Sequence, residues 1–366
     1  MPWWSNSFTN GEANAAMDAV NKRFLSQGPI VREFETRVSE YLGGVEVVAT
    51  TSGTSALVMG LMALNIGHGD EVLMPDRTWI ATAHAAHVLG AVPVFIEVED
   101  SAPIMSINAL ERYLTDRTKA VIPVHMNGHD AHIAEVASFC EDNSLSLIED
   151  AAQALGARNK NGFLGCQSQV GCFSLSIAKV ISSGQGGFAV TSDVDTAEQL
   201  RAIRTHGVEN VLEATWVRPG LNFRFTDVLA SIALVQLDLL PKRLDRLREI
   251  YFRYEEELKN IEGVSLIEEN ISAGEIGPYI EVMVDNRARW VKLLADRGIQ
   301  TREFYPQLRV ADYWLKPSKT VETSFKNSDK YAEQGLYLPS GPSLTDAQIT
   351  RALGAIKEVS ELVTQN

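Results

Sequence analysis

Through its first two thirds the chain alternates short apolar, β-branched runs with longer stretches whose apolar residues recur every three or four positions. This spacing predicts strands at residues 45–51, 71–75, 92–98, 119–126, 145–149, 170–176 and 187–192. Between them, helices are expected at 55–64, 79–89, 107–114 and 131–142. Several strand runs, such as Ala120-Val-Ile-Pro-Val124 and Leu145-Ser-Leu-Ile148, are continuous rather than alternating. Strands of a mainly parallel sheet covered by helices on both faces read this way. Helical patterning then dominates residues 226–261, with Pro241 as a break. Strands at 264–268 and 279–284, a helix at 287–297 and a last helix after Thr345 complete a smaller α+β unit. The polar segment 317–328 is expected to be a surface loop, and no internal repeat or low-complexity tract is present. The expected division is a large domain over residues 1–240, the N-terminal segment included, and a small one over 241–366.

Composition narrows the partners. The 366 residues are 45% hydrophobic and 22% charged, which rules out a disordered or fibrous chain. That length exceeds one ordinary core and suits a large domain plus a smaller one. A net charge of −14 argues against nucleic acid or an anionic membrane as the main partner, because like charges repel. It leaves an anionic substrate open, since that needs only a local basic or amide-lined pocket. Cys140, Cys166 and Cys172 form no C-x-x-C pair, so neither a disulfide framework nor a thiolate zinc site is expected. The opening Met-Pro-Trp-Trp-Ser lacks the pattern of a signal peptide. No uncharged apolar run reaches the roughly 18–20 residues that span a bilayer. The expected location is the cytoplasm.

Three constellations carry chemistry. Thr51-Ser52-Gly53-Thr54-Ser55 lies between a strand and a helix, where small residues expose unpaired amides and hydroxyls as a phosphate cup. Plain helix capping explains the same residues. Glu149-Asp150-Ala-Ala-Gln153 ends the strand 145–149 at its carboxyl end, where ligands gather in open α/β sheets, and its carboxylate can meet a cation or simply start a helix. Lys179 leaves an apolar strand for a small-residue loop ending Gly184-Gln-Gly-Gly187. Partial burial there lowers a lysine pKa and frees the amine for Schiff-base chemistry, whereas a snorkelling lysine stays an ordinary cation. The glycine run enters a strand rather than a helix, so it is no dinucleotide fingerprint; it supplies tight turns around Lys179. His125, His129 and His132 follow a strand with Gly128 between them, and no regular helix aligns them, so no metal site is expected. His84 and His87 read as packing or surface residues, and Trp79 as an aromatic able to stack on a flat ring.

Taken together, these pieces resemble a fold-type I pyridoxal 5′-phosphate (PLP) enzyme, and more narrowly the DegT/DnrJ/EryC1/StrS family of sugar aminotransferases. The matching phrases are Ser52-Gly-Thr-Ser-Ala-Leu57, Gly69-Asp-Glu-Val-Leu-Met-Pro75, Thr78-Trp-Ile-Ala-Thr82, Val124-His125 and Ile148-Glu-Asp-Ala-Ala-Gln-Ala-Leu-Gly156. They continue with Phe173-Ser174, Lys179, Gly186-Gly187, Gly220-Leu-Asn222-Phe-Arg224-Phe-Thr-Asp227, Gln236-Leu237 and Leu338-Pro-Ser-Gly-Pro-Ser-Leu-Thr345, in order along nearly the whole chain. The resemblance implies a large domain built on a mainly parallel seven-stranded sheet and a smaller α+β C-terminal domain. It also implies that Lys179 joins PLP as a Schiff base and shuttles a proton, and that Asp150 pairs with the ring nitrogen. Gln153 would bond the ring hydroxyl and Trp79 would stack on the ring. Gly53, Thr54, Ser55 and Ser174 would hold the phosphate. Asn222 would reach the phosphate of the neighbouring subunit in a homodimer.

Four departures fall around the substrate mouth. The family commonly has Lys-Asn where this chain has Lys179-Val180, and Gly-Glu-Gly-Gly where it has Gly184-Gln185-Gly186-Gly187. Asn127 replaces a tyrosine, and Tyr305-Pro-Gln-Leu-Arg309 replaces Tyr-x-Pro-Leu-His. The expected function is transamination of a keto sugar, nucleotide-linked, with glutamate as amino donor, for surface polysaccharide or secondary-metabolite sugars. Lysine at 179 favours this over the dehydratases of a related branch, which carry histidine there. An aminotransferase acting on a cyclitol or other non-nucleotide keto substrate, or a PLP-dependent sugar dehydratase, is the alternative; a non-catalytic relative is disfavoured by the intact Lys179, Asp150, Gln153 and Ser174. Arg224, Arg309 and Lys316 are candidates for meeting a diphosphate, or else solvated surface charges.

Overall fold

The computed structural model describes residues 1–208, 215–319 and 324–364. The strands are β1 (Glu46–Thr50), β2 (Glu71–Pro75), β3 (Val92–Ile96), β4 (Thr118–Val121), β5 (Ser146–Asp150), β6 (Arg158–Asn159), β7 (Gly162–Phe163), β8 (Val170–Ser174), β9 (Gly187–Thr191), β10 (Val264–Leu266), β11 (Ile280–Val284), β12 (Arg302–Glu303) and β13 (Gly335–Leu338). The helices are α1 (Asn10–Asn21), α2 (Pro29–Tyr41), α3 (Gly53–Ala63), α4 (Ala81–His87), α5 (Ile107–Leu110), α6 (Ile133–Asp142), α7 (Val194–Arg204), α8 (Asp227–Asp238), α9 (Leu240–Leu258), α10 (Arg287–Asp296), α11 (Lys326–Gln334) and α12 (Asp346–Thr364).

Seven strands form one sheet in the order β1-β9-β8-β5-β4-β2-β3. Strands β8, β5, β4, β2 and β3 pair in parallel, and β9 alone runs against both of its neighbours. The mainly parallel seven-stranded sheet is therefore present, and its alternating side chains feed two separate cores. Val47, Ala49, Leu73, Val121, Leu147 and Phe188 face one core, with Phe34 of α2, Val136 of α6 and Ala230 of α8. Val48, Val72, Met74, Ala120, Ile148 and Ala189 face the other, with α3 and with Leu200 and Ile203 of α7. Helices on both faces explain why the strands read as unbroken apolar runs. Helix α3 is buried over nine of its eleven residues, so it is apolar all round.

The smaller sheet is antiparallel, β10-β11-β13-β12, and packs on α9, α10 and α12 through Trp290, Val282, Leu336 and Ile356. Helix α9 belongs to both bodies: Leu240, Leu244 and Leu247 enter the large core, while Ile250, Tyr254 and Leu258 enter the small one. The break expected at Pro241 is present: α8 ends at Asp238, and Pro241 sits in the first turn of α9, where its missing N–H costs nothing. The strand expected at 119–126 stops at Val121, and the chain continues extended to a single turn of 3₁₀ helix at Met126–Gly128. Of the loop expected at 317–328, residues 320–323 lie outside the described residues, and α11 begins already at Lys326. Helices α1, α2 and α7, the β6–β7 hairpin and strands β12 and β13 were not anticipated from the pattern.

The glycine run before β9 closes the sheet edge rather than only turning the lysine loop. A Cβ on Gly187 would lie 2.5 Å from the carbonyl carbon of Ser52 and 2.6 Å from both Gly53 N and Phe173 O. All three are backbone atoms with no rotamer to yield. Gly187→Ala is expected to cost about 2–3 kcal/mol of stability, read as a lowered thermal unfolding midpoint. An unchanged midpoint would show that this edge can open.

Candidate active site

In a parallel sheet the carboxyl ends of the strands leave a crevice, and here β1, β5 and β8 end together. Around them lies a cavity of about 340 Å³ lined by Ser52, Gly53, Thr54, Trp79, Asp150, Gln153, Ser174 and Lys179. Tyr279, Arg302 and Tyr305 complete it from the side of the small sheet. Seven of the nine residues expected at the site thus share one wall.

The turn after β1 starts α3. Ser52 is its N-cap, accepting from Ser55 N at 3.0 Å. The first two amides of the helix, Gly53 and Thr54, stay at the cavity, where a helix N-terminus favours an anion. Gly53 is needed because a Cβ would stand 2.9 Å from Cβ of Ser174. Ser55 departs from expectation. Its amide is spent on the cap and its hydroxyl on Thr51 Oγ1 and Ser52 Oγ, at 2.8 and 2.9 Å, so it braces the turn from behind and does not line the cavity.

Asp150, at the end of β5, is 5% exposed. Its Oδ2 accepts from Thr82 Oγ1 at 2.7 Å and its Oδ1 from Ala152 N at 3.1 Å. No cation lies within ion-pair distance of it among the described residues. Burial pushes its pKa up, and the two hydrogen bonds with the charges of Lys179 and His125 only partly oppose this. Gln153 accepts from Asn127 N at 3.0 Å. A backbone N–H can be accepted only by the amide oxygen, which leaves Nε2 as the free donor of Gln153.

Lys179 lies in the loop after β8, and the carbonyls on either side of it are individually tied. Those of Ile177, Ala178, Lys179 and Val180 accept from Trp4 Nε1 (3.3 Å), Tyr279 Oη (2.6 Å), Asn6 Nδ2 (3.2 Å) and Arg243 Nη1 (2.8 Å). Burial pulls the Lys179 pKa down to about 8; the negative charge of Asp150 opposes this and the positive charge of Arg302 adds to it. This is the depressed amine that the sequence pattern suggested.

Other expectations fall differently. Asn222 is exposed and accepts from Arg224 Nε at 2.9 Å, away from the cavity of its own chain. Arg224 lines a separate depression beside α7. Arg309 is tied to the carboxylates of Asp76 and Asp329 with its guanidinium over the Phe325 ring, so it is not free to meet a substrate. Lys316 is exposed and outside the cavity. Among the described residues no set of three His, Cys, Asp or Glu side chains gathers as for a metal ion. His125 instead donates from Nε2 to Glu149, 3.0 Å away, whose carboxylate also accepts from Gly165 N and Gln167 N. His129 is locked between Glu275 and Glu281; burial works to lower its pKa, but these carboxylates outweigh it and push it up to about 10. His84 and His87 pack on Tyr313 and Trp314. No helix among the described residues is long and apolar enough to cross a membrane.

Several site residues were not found from sequence. Thr82 and Tyr305 fall within stretches compared with the family pattern, which point to no role for either. Tyr279 and Arg302 come from the small sheet, and no local signal marks them. Asn127, at φ +47°, exchanges hydrogen bonds with both N–H and C=O of Tyr279, at 2.8 and 2.9 Å. It thereby joins the loop that orients Gln153 to the residue that holds Ala178.

Comparison with known proteins identifies the family and the fold. The model of the DegT/DnrJ/EryC1/StrS aminotransferase family matches residues 6–357. The chain belongs to this family. It is 32% identical over 357 residues to the erythromycin biosynthesis sensory transduction protein EryC1 of Saccharopolyspora erythraea, covering 94% of this chain and 96% of that protein. A DegT DnrJ EryC1 StrS aminotransferase from Brucella abortus superposes with a TM-score of 0.90 at 30% identity, over 95% of each chain. NtdA from Bacillus subtilis, solved with bound cofactor PMP, also gives 0.90 at 26% identity, over 98% of this chain and 83% of that one.

The depressed Lys179 gives a pH signature. At pH 7 about one tenth of its amine is unprotonated, against about one part in 3,000 for an ordinary lysine. Acylation of cofactor-free protein at Lys179, followed by peptide mass spectrometry, should be half-maximal at about pH 8 and level off about one pH unit higher. A rate still climbing at pH 10 would contradict the burial argument.

Proposed function

We propose that this family member is a PLP-dependent aminotransferase that converts the carbonyl of a nucleotide-linked keto sugar to an amine, with glutamate as amino donor. The observation that carries the reading is the meeting, in one cavity at the strand ends, of Lys179, its pKa lowered, with the buried Asp150, which has no ion-pair partner among the described residues. The residues present fit the cofactor. Asp150 suits a protonated ring nitrogen, and Gln153 Nε2 suits a ring oxygen. The glycine-floored turn at Ser52–Thr54 with Ser174 suits a phosphate. When bound, PLP supplies a carbonyl that condenses with amines and a ring that draws electrons from the reacting carbon.

Each side chain then has a task. Asp150 keeps a proton on the ring nitrogen. Trp79, at the mouth and edge-on to Tyr305 at 5.2 Å, covers the ring. Lys179 Nζ holds the cofactor and, once released, takes and returns the proton on the substrate carbon. The pinned carbonyls of residues 177–180 limit how far Nζ can stray. Residues 1–240 are proposed as the cofactor-binding domain and 241–366 as the small domain covering it. Exposed Asn222 is proposed to reach the phosphate of a second copy, so that a two-fold dimer completes both sites. A cytoplasmic setting in polysaccharide or secondary-metabolite sugar synthesis follows from the same reading.

The experiment is Lys179→Ala. It should keep the fold but lose the visible absorption of the lysine-linked cofactor, and lower turnover by at least about 100-fold to 10,000-fold. A variant that still turns over would contradict the assignment. A panel of keto sugars and cyclitols tests the substrate; conversion of cyclitols alone would replace the nucleotide-sugar reading.

A further inference from the structure

Arg302 stands apart from the other enclosed arginines. Arg204 is paired with Glu35, Arg243 bonds Asn6, Gln236 and Val180, and Arg309 is held by two aspartates. Arg302 reaches the cavity from the short edge strand β12, and among the described residues no acceptor takes its guanidinium donors. It is held by ring faces instead. Its Cζ lies 4.9 Å from the ring centroids of both Trp3 and Tyr305 and 5.9 Å from that of Trp79. Contact with a π face fixes the plane of a guanidinium without using its N–H groups, so the donor fork stays available.

We propose that Arg302 is the carboxylate-recognition group of this site and selects the amino donor. The proposal rests on the aminotransferase reading above. A planar fork with two parallel N–H groups matches a carboxylate in bidentate fashion. Among the described residues the only other cation lining the cavity, Lys179, is committed as nucleophile. Recognition of an anionic donor by a chain of charge −14 needs such a local cation.

Trp3 is part of the device. Ser340 N donates to Trp3 O and Ser5 N to Ser340 O, both at 2.9 Å, so this N-terminal segment lies along the chain following β13. The Trp3 ring also packs on Tyr279 and Tyr337, with centroids 5.4 and 6.0 Å apart. The segment therefore supplies one wall of the clamp. The donor's carboxylate is the favoured ligand; an acidic sugar would present the same group.

The test compares PLP-loaded wild type, Arg302→Gln, Arg302→Lys and Trp3→Ala. Bleaching of the visible cofactor band is titrated with L-glutamate and with a carboxylate-free primary amine, and glutarate binding is measured by calorimetry. In Arg302→Gln, selectivity for glutamate over the amine should fall about tenfold or more, and glutarate should weaken alike. Trp3→Ala should move both in the same direction by less. If Arg302→Gln does not fold, Trp3→Ala and Arg302→Lys decide by the same two readouts. Unchanged selectivity, or equal losses with both amines, overturns the proposal. An effect confined to a keto-sugar substrate in the reverse half-reaction overturns the donor assignment. If glutamate fails to bleach the wild type while the amine succeeds, the donor reading above falls separately, and glutarate still judges Arg302.

Discussion

Burial of the Asp150 carboxylate without a cation to neutralise it shapes the rest of this site. A carboxylate withdrawn from water raises its own pKa and leaves a strong demand for a positive partner. Thr82 and Ala152 satisfy two of its lone pairs and fix its direction, yet neither brings charge. A protonated aromatic nitrogen meets that demand, and the surrounding groups then fall into place by size and polarity. The turn proposed to hold the phosphate lies at the start of α3, with Gln153 and Lys179 lining the same cavity.

The fold supplies this constraint through its parallel topology. Strands β1, β5 and β8 run the same way and so carry the α3 turn, Asp150 and the lysine loop to one end of the sheet. The sheet alone would leave the lysine loop loose. Its four carbonyls are taken by Trp4 and Asn6 from the N-terminal segment, Arg243 from α9 and Tyr279 beside β11. The lysine loop of the large sheet is therefore held by the N-terminal segment, by α9 and by the small sheet.

Much of this was legible in the sequence. Strands buried on both faces read as unbroken apolar runs, and a lysine leaving such a run for a small-residue loop announces an unusual amine. Asp150 and Gln153 were readable because they follow a strand directly. What escaped was set by tertiary docking. Arg302 and Tyr279 meet the cavity only because the small sheet packs there, and Asn127 matters through its bonds to Tyr279. Arg309 shows the opposite error: its charge was visible, but not the buried Asp76 that consumes it. Helix α1 had a readable signal, the Thr9–Glu12 capping box. Ser55 was read as a phosphate ligand because capping and anion binding use the same residue types, and only the geometry separates them.

The central claim is that Asp150 holds a proton on the cofactor ring. The most direct measurement is the ¹⁵N NMR shift of ring-labelled PLP bound to the wild type and to Asp150→Asn. The account predicts a protonated ring nitrogen in the wild type at pH values well above the ordinary titration of free PLP, and an unprotonated one in the variant. An unprotonated nitrogen in the wild type, or the same shift in both proteins, would contradict it.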